Sequence, residues 1–243
     1  MPIATRRPPP DELAWSALGR HLPRTATLLA AAVALIAVLT WQVDSGGAIT
    51  RFDLRVLDWM IAHRGDPLTT IARVVTDLGD TAAMTALAAA TVGWFALRRE
   101  LARAVLVAVT ALGAAVLVVV IKQLVGRQRP PELTRLVAEP SLSFPSGHTL
   151  GSTVVVGIVA VTLIPELRGH WLRVVATVVA VVFPIAVGLS RIYLGVHWCS
   201  DVLAGWVIGL TWLTLCVTVF TVVRGRQAVR SPAESAVPEP AGR

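Results

Sequence analysis

The chain has 243 residues, of which 55% are hydrophobic and 15% charged, with a formal net charge of +7. Soluble globular domains carry about 25% charged residues, so the deficit points to a membrane protein and argues against a soluble fold. A pI near 11.1 can signal nucleic-acid binding. Here, however, the basic residues are spread over the ends of apolar segments rather than gathered in one stripe, so no nucleic-acid partner is expected. Lys122 is the only lysine; every other basic residue is arginine.

Residues 1–24, with three prolines at 8–10 and the acidic pair Asp11 and Glu12, read as a cytoplasmic segment. The first charge-free window, 25–41, could pass for a secretory signal. Its long, partly acidic lead and the lack of a small-residue cleavage site make it a retained span. A loop over 42–80 with six aspartates follows. Within it, 52–63 has apolar residues at helical spacing, which suits either an interfacial helix or a short packing helix. Five more windows lack Asp, Glu, Lys, Arg and His: 81–97, 104–121, 149–165, 174–190 and 202–223. A spanning helix needs about 20 mainly apolar residues, so the polar flanks are expected to supply an extra turn. The expectation is an all-α polytopic membrane protein whose six transmembrane helices occupy 25–223. A cytoplasmic tail over 224–243 follows, disordered in its Pro-, Ala- and Glu-rich part from Ser231. Cys199 and Cys216 bracket one predicted helix at about 25 Å, beyond disulfide reach, and no zinc-ligand spacing exists.

Cytoplasmic loops carry an excess of Lys and Arg near the spans. With the N-terminus inside, the inner segments hold Arg6, Arg7, Arg20, Arg24, Arg98, Arg99, Arg103, Arg168, Arg173, Arg224, Arg226, Arg230 and Arg243. That is most of the 22 basic residues. Both termini then lie in the cytoplasm of a multi-pass protein of the cell membrane.

Three polar stretches fall on the opposite, extracytoplasmic side, between the ends of spans three to six. The first runs from Lys122 through Arg127 to Arg129 and Pro130. The second is Pro145, Ser146, Gly147 and His148. The third holds Ser190, Arg191, His197 and Asp201. Lys122, Arg129 and Arg191 supply cations for a phosphate, the arginines as bidentate forks and the lysine as a point charge. Ser146, Gly147 and His148 open a helix, whose free N–H groups and dipole attract anions. His197 and Asp201, four residues apart, meet on one helical face. A carboxylate on one imidazole nitrogen fixes the tautomer and raises the basicity of the other, as a histidine nucleophile requires. His148 is then free to act as general acid. Arg127, beside the first stretch, is a possible auxiliary group. Arg73 and Arg135 are expected to snorkel to headgroups, and His21, His63 and His170 to be interfacial side chains.

These stretches resemble the signature of the type 2 phosphatidic acid phosphatase superfamily, which includes lipid phosphate phosphatases, bacterial undecaprenyl-diphosphate phosphatases, glucose-6-phosphatase and vanadium haloperoxidases. The family pattern of Lys, six residues, then Arg-Pro matches Lys122, Arg129 and Pro130. Pro-Ser-Gly-His matches 145–148, and Ser-Arg, five residues, His, three residues, Asp matches Ser190, Arg191, His197 and Asp201, with no departure. The resemblance implies a phosphatase needing neither metal nor other cofactor. His197 would be the nucleophile, oriented by Asp201, and His148 the acid. The choice of His197 over His148 rests partly on this likeness. Lys122, Arg129, Ser146, Gly147, Arg191 and Ser190 would hold phosphate oxygens. The substrate would be a lipid phosphate or diphosphate drawn from the membrane lipid: polyprenyl diphosphate first, then phosphatidic acid or phosphatidylglycerophosphate. A phosphotransferase or a non-catalytic lipid transporter on the same scaffold is the alternative. Nothing in the sequence speaks to oligomeric state.

Overall fold

The computed structural model describes residues 26–230 apart from 28, 32 and 44, with the side chains of 227–230 also left aside. The expected N-terminal segment 1–24, His21 and the tail from Ser231 lie outside the described residues. Among the described residues the structure is helical, with no strand. Its α-helices are α1 (Leu29–Val43), α2 (Ala48–Ala62), α3 (Asp66–Leu78), α4 (Thr81–Leu97), α5 (Leu101–Val125), α6 (Gly147–Leu163), α7 (His170–Tyr193) and α8 (Cys199–Arg230).

Four stretches are long and apolar enough to cross a membrane: α5, α6 with its 3₁₀ extension to Glu166, α7, and α8 as far as Arg226. Two bent pairs could bring the number to six: α1 with α2, at 78°, and α3 with α4, at 43°. The windows 104–121, 174–190 and 202–223 each sit inside a longer helix, because flanking residues such as Arg103, Lys122, His170 and Arg191 add the missing turns, and 149–165 is covered by α6 with its 3₁₀ extension. α4 covers its window and no more, 17 residues or about 25 Å. It starts where Asp80, as N-cap, accepts the Ala83 N–H at 2.7 Å. α8 runs past the expected boundary at 223 and stays helical to Arg230.

α6 is the central helix, with Leu150, Val154 and Ile158 fully buried, and it packs against α4, α5, α7 and α8. α8 seats closely on it at Gly205 and Gly209. A Cβ at Gly205 would stand 2.9 Å from Thr149 Cβ, and one at Gly209 3.1 Å from Thr153 Cβ. Glycines four apart let two helix backbones approach in this way. By contrast, Val105, Val109, Leu112 and Val116 on α5 and Val178, Val181 and Val182 on α7 point outward and exposed. Such broad apolar faces suit lipid rather than water.

The 42–80 region is helical rather than a loop. α2 buries Asp53 and Leu57 against α7 and α8 and leaves Phe52, Leu54 and Trp59 exposed. Arg64 ties it down, donating to the carbonyls of Tyr193 (3.2 and 2.9 Å) and Thr134 (2.8 Å). Pro184 lies within α7 without ending it, and its carbonyl accepts from Trp206 Nε1 at 3.0 Å.

Candidate functional site

The ends of α5 and α7 and the starts of α6 and α8 converge, and all three polar stretches meet there. Lys122 sits in the last turn of α5, which Gly126 closes at φ 63°. Its Nζ donates to the Leu142 carbonyl and, at 3.3 Å, to Ser141 Oγ. Ser146 is the N-cap of α6; its Oγ accepts from Thr149 N (3.5 Å) and Oγ1 (2.9 Å). Its own N–H reaches the Asp201 carbonyl at 3.1 Å, joining the second stretch to the third. His148 follows in the first turn, half-buried.

Between α7 and α8 the chain must reverse within a few residues. Gly195 makes the turn at φ 71°, and a Cβ there would lie 2.3 Å from the Thr134 carbonyl oxygen. That turn delivers His197 just ahead of α8. Asp201, in the first turn of α8, accepts the Trp198 N–H at 2.9 Å, as an acidic residue at that position caps a helix. The same carboxylate oxygen accepts from Ser143 Oγ at 2.5 Å and lies 3.3 Å from His197 Nδ1.

On its other side, His197 Nε2 lies 3.0 Å from Arg129 Nη1. A guanidinium can only donate, so Nε2 carries the lone pair and Nδ1 carries the proton that Asp201 receives. The ring is 1% exposed, and burial pushes its pKa down to about 3, against the pull of the Asp201 hydrogen bond and with help from Arg129. It is therefore a neutral imidazole with one tautomer. Arg129 is also buried, which lowers its pKa to about 10, low for an arginine yet well charged at neutral pH. It donates to the carbonyls of Ser141 (2.5 Å), Val196 (2.6 Å) and Leu142 (3.2 Å).

Arg191 donates to Thr76 Oγ1 (2.8 Å) and Glu139 Oε2 (2.7 Å), while its buried Nε has no partner among the described residues. Glu139 also lies 3.6 Å from Arg129. Burial works to raise its pKa, yet Arg129 and Arg191 together hold it below the ordinary carboxylate range. A carboxylate thus rests on two arginines expected to hold phosphate. A cavity of about 720 Å³ opens beside it, lined by Arg129, Glu139 and Ser141 among others. A second cavity, about 650 Å³ and mostly apolar, runs between α4, α5 and α6 from Gly79 and Gly147 toward Ala88 and Val92.

The remaining candidates have partners within the protein. The Ser190 hydroxyl donates to Val187 O at 2.7 Å within its own helix. Arg127 lies behind the site, paired with Asp53 (2.7 Å) and Asp201 (2.5 Å). Arg73 and Arg135 do not merely snorkel: they donate to the carbonyls of Leu136 (3.0 Å) and Pro130 (2.7 Å). His63 stacks on Trp59, and His170 begins α7, both away from the cluster. Sequence reasoning missed Asp53, Glu139, Ser143 and Ser200. Only Glu139 and Ser143 offered a signal, as polar residues just ahead of the second stretch.

Fold and site together define a helical bundle with membrane-length apolar helices and a cationic, histidine-bearing cluster at one end. The PAP2 superfamily model matches residues 103–224, and the chain belongs to that superfamily. It is 40% identical over 94 residues to phosphatidylglycerophosphatase B of Bacillus subtilis (strain 168), covering 37% of this chain and 45% of that protein. It is 43% identical over 115 residues to decaprenylphosphoryl-5-phosphoribose phosphatase of Mycobacterium tuberculosis, covering 46% and 56%. These matches thus span about half the length of the curated relatives. The crystal structure of a transmembrane PAP2 type phosphatidylglycerolphosphate phosphatase from Bacillus subtilis superposes with a TM-score of 0.71 at 26% identity, covering 80% of this chain and 96% of that one.

Proposed function

We propose that the protein is an integral-membrane phosphatase that removes phosphate from a lipid phosphate or diphosphate through a phosphohistidine. The observation that carries this reading is the His197 ring. Its Nδ1 proton is held by Asp201, and its Nε2 lone pair lies against Arg129 at the cation cluster.

In the proposed reaction Nε2 attacks phosphorus and the P–O bond to the lipid breaks. His148 gives its proton to the departing oxygen. Lys122, Arg129 and Arg191, with the N–H groups that begin α6, hold the phosphoryl oxygens as charge builds. Water then attacks the phosphohistidine, giving its proton to His148, and phosphate leaves. Arg191 Nε, an unused donor, and Glu139, an anion on two arginines, both mark where a phosphate would settle.

An amphiphilic substrate is supported by the apolar cavity that starts at Gly147, beside the cluster, and continues along α4 and α5. The names of the relatives point the same way: one is called after phosphatidylglycerophosphate and another after a decaprenyl-borne phosphate. Counting each bent pair as one span gives six, with a phosphatase domain over 25–223. The arginine distribution supports an orientation with both termini in the cytoplasm and the site on the extracytoplasmic face of the cell membrane.

The test is phosphate release by purified protein in detergent with EDTA, against prenyl diphosphates, phosphatidic acid and phosphatidylglycerophosphate. Turnover should persist with chelator and vanish in His197→Ala. Near-normal activity in that variant would show that the nucleophile lies elsewhere. His148→Ala should retain slow turnover only with a good leaving group such as p-nitrophenol.

A further inference from the structure

Asp53 lies on the face of α2 that also buries Leu57, and only 1% of it is exposed. A buried carboxylate is costly unless paired and hydrogen-bonded, and this one is fully engaged. Its Oδ1 accepts the Ser200 backbone N–H at 2.8 Å. Its Oδ2 accepts from Ser200 Oγ at 2.5 Å and from Arg127 Nη2 at 2.7 Å. The other arm of Arg127, Nη1, donates to Asp201 Oδ1 at 2.5 Å and to Ser200 Oγ at 2.8 Å. The guanidinium also lies over the Trp198 ring, 5.4 Å from its centre.

The consequence falls on Asp201. Its Oδ2 is the atom that faces His197, and its Oδ1 is held by Arg127 alone among the side chains described. A carboxylate gripped at both oxygens cannot rotate about its Cβ–Cγ bond. Arg127 in turn has one arm on Asp201 and one on Asp53, so its plane is set by two carboxylates on different helices.

We infer that Asp53 is a positioning residue of the active site, acting through Arg127 to fix the Asp201 carboxylate against His197. Asp53 lies N-terminal to residues 103–224, where the family match falls. The inference rests on the phosphatase reading above. It makes α2 part of the catalytic apparatus, although the helix brings no group to the substrate.

A purely structural role is the competing account: Asp53 also caps α8 through Ser200 N, and such a cap stabilises a helix. Asp53→Asn separates the two. Asparagine keeps an acceptor for the Ser200 N–H but loses the charge that orients Arg127. A positioning role predicts that kcat falls about 10- to 100-fold, the scale of a misplacement remote from the chemistry, with KM within about twofold. Arg127→Gln should lose a similar amount, and the double variant should be no worse than about threefold below the poorer single, because both break one chain.

A kcat within about twofold of wild type in Asp53→Asn overturns the inference, as does a double variant whose losses multiply. Thermal unfolding and inorganic-phosphate binding accompany each assay to show that the site is formed. If Asp53→Asn fails to fold, Arg127→Lys decides. Lysine keeps a charge near Asp201 but cannot fork to both carboxylates, so full kcat in that variant also overturns it. His197→Ala runs in parallel. If it stays active, the phosphatase reading falls and takes this inference with it. If it is dead while Asp53→Asn is normal, the inference alone falls.

Discussion

Both ends of the helical bundle carry arginine–carboxylate pairs, but in opposite surroundings. At one end Arg98 and Arg103 meet Glu166 and Glu100 with side chains 27–46% exposed. At the other, the side chains of Arg129 and Arg191 are 3% exposed and that of Arg127 10%, while those of Asp53 and Asp201 are fully covered. Exposed pairs gain about 0–1 kcal/mol and tolerate loss of a partner. Buried ones are costly to assemble, and breaking one leaves an uncompensated charge. A chain that keeps five buried ionic groups together at one end places them for a task other than stability.

The sharpest test of that contrast is Arg191→Leu against Arg98→Leu. The first should lower kcat about 10²- to 10³-fold, as loss of a transition-state donor does, while the second should change it less than about twofold. Comparable losses at both ends would erase the distinction. Glu139→Gln should tighten competitive inhibition by inorganic phosphate several-fold, because it removes the anion that occupies Arg129 and Arg191; unchanged inhibition would mean that phosphate binds elsewhere.

A third test uses acidity. His197 has a folded pKa near 3, below its ordinary 6.5, so below pH 6.5 the unfolded state binds more protons at this group. Its contribution to stability is therefore complete above pH 6.5 and is lost as pH falls toward 3. In melting curves over that range, His197→Gln should show a shallower decline than wild type; parallel slopes would contradict a buried neutral ring. The smallest effect is expected from Glu166→Gln, at most about 1 kcal/mol and weaker in high salt. A loss of several kcal/mol there would mean that the exposed end matters more than its exposure implies.

Much of the helical plan could be read from hydropathy alone, since α5, α7 and α8, and α6 with its 3₁₀ extension, each enclose a charge-free window. The motif residues were legible because their types and spacing match a family signature, and the structure brings the three stretches to one end of the bundle. What escaped was set by packing between distant segments. Asp53 was one of six aspartates in 42–80, and nothing local marks it; its meaning comes from α2 lying on the start of α8. Arg127 looked like a spare cation near the substrate, and only its two carboxylate partners reveal where it faces. Ser190 shows the same limit from the other side: its place in the motif suggests a ligand, while helix geometry here turns its hydroxyl onto Val187 O.

The contact between Arg129 and His197 Nε2 has a consequence for selectivity among electrophiles. While that guanidinium donates to the ring, the lone pair is masked, and a passing alkylating agent meets a blunted nitrogen. In the proposed reaction, a phosphate drawing Arg129 onto its own oxygens would uncover the nitrogen at the moment a phosphorus atom stands in front of it. On that reading recognition and unmasking would be one movement.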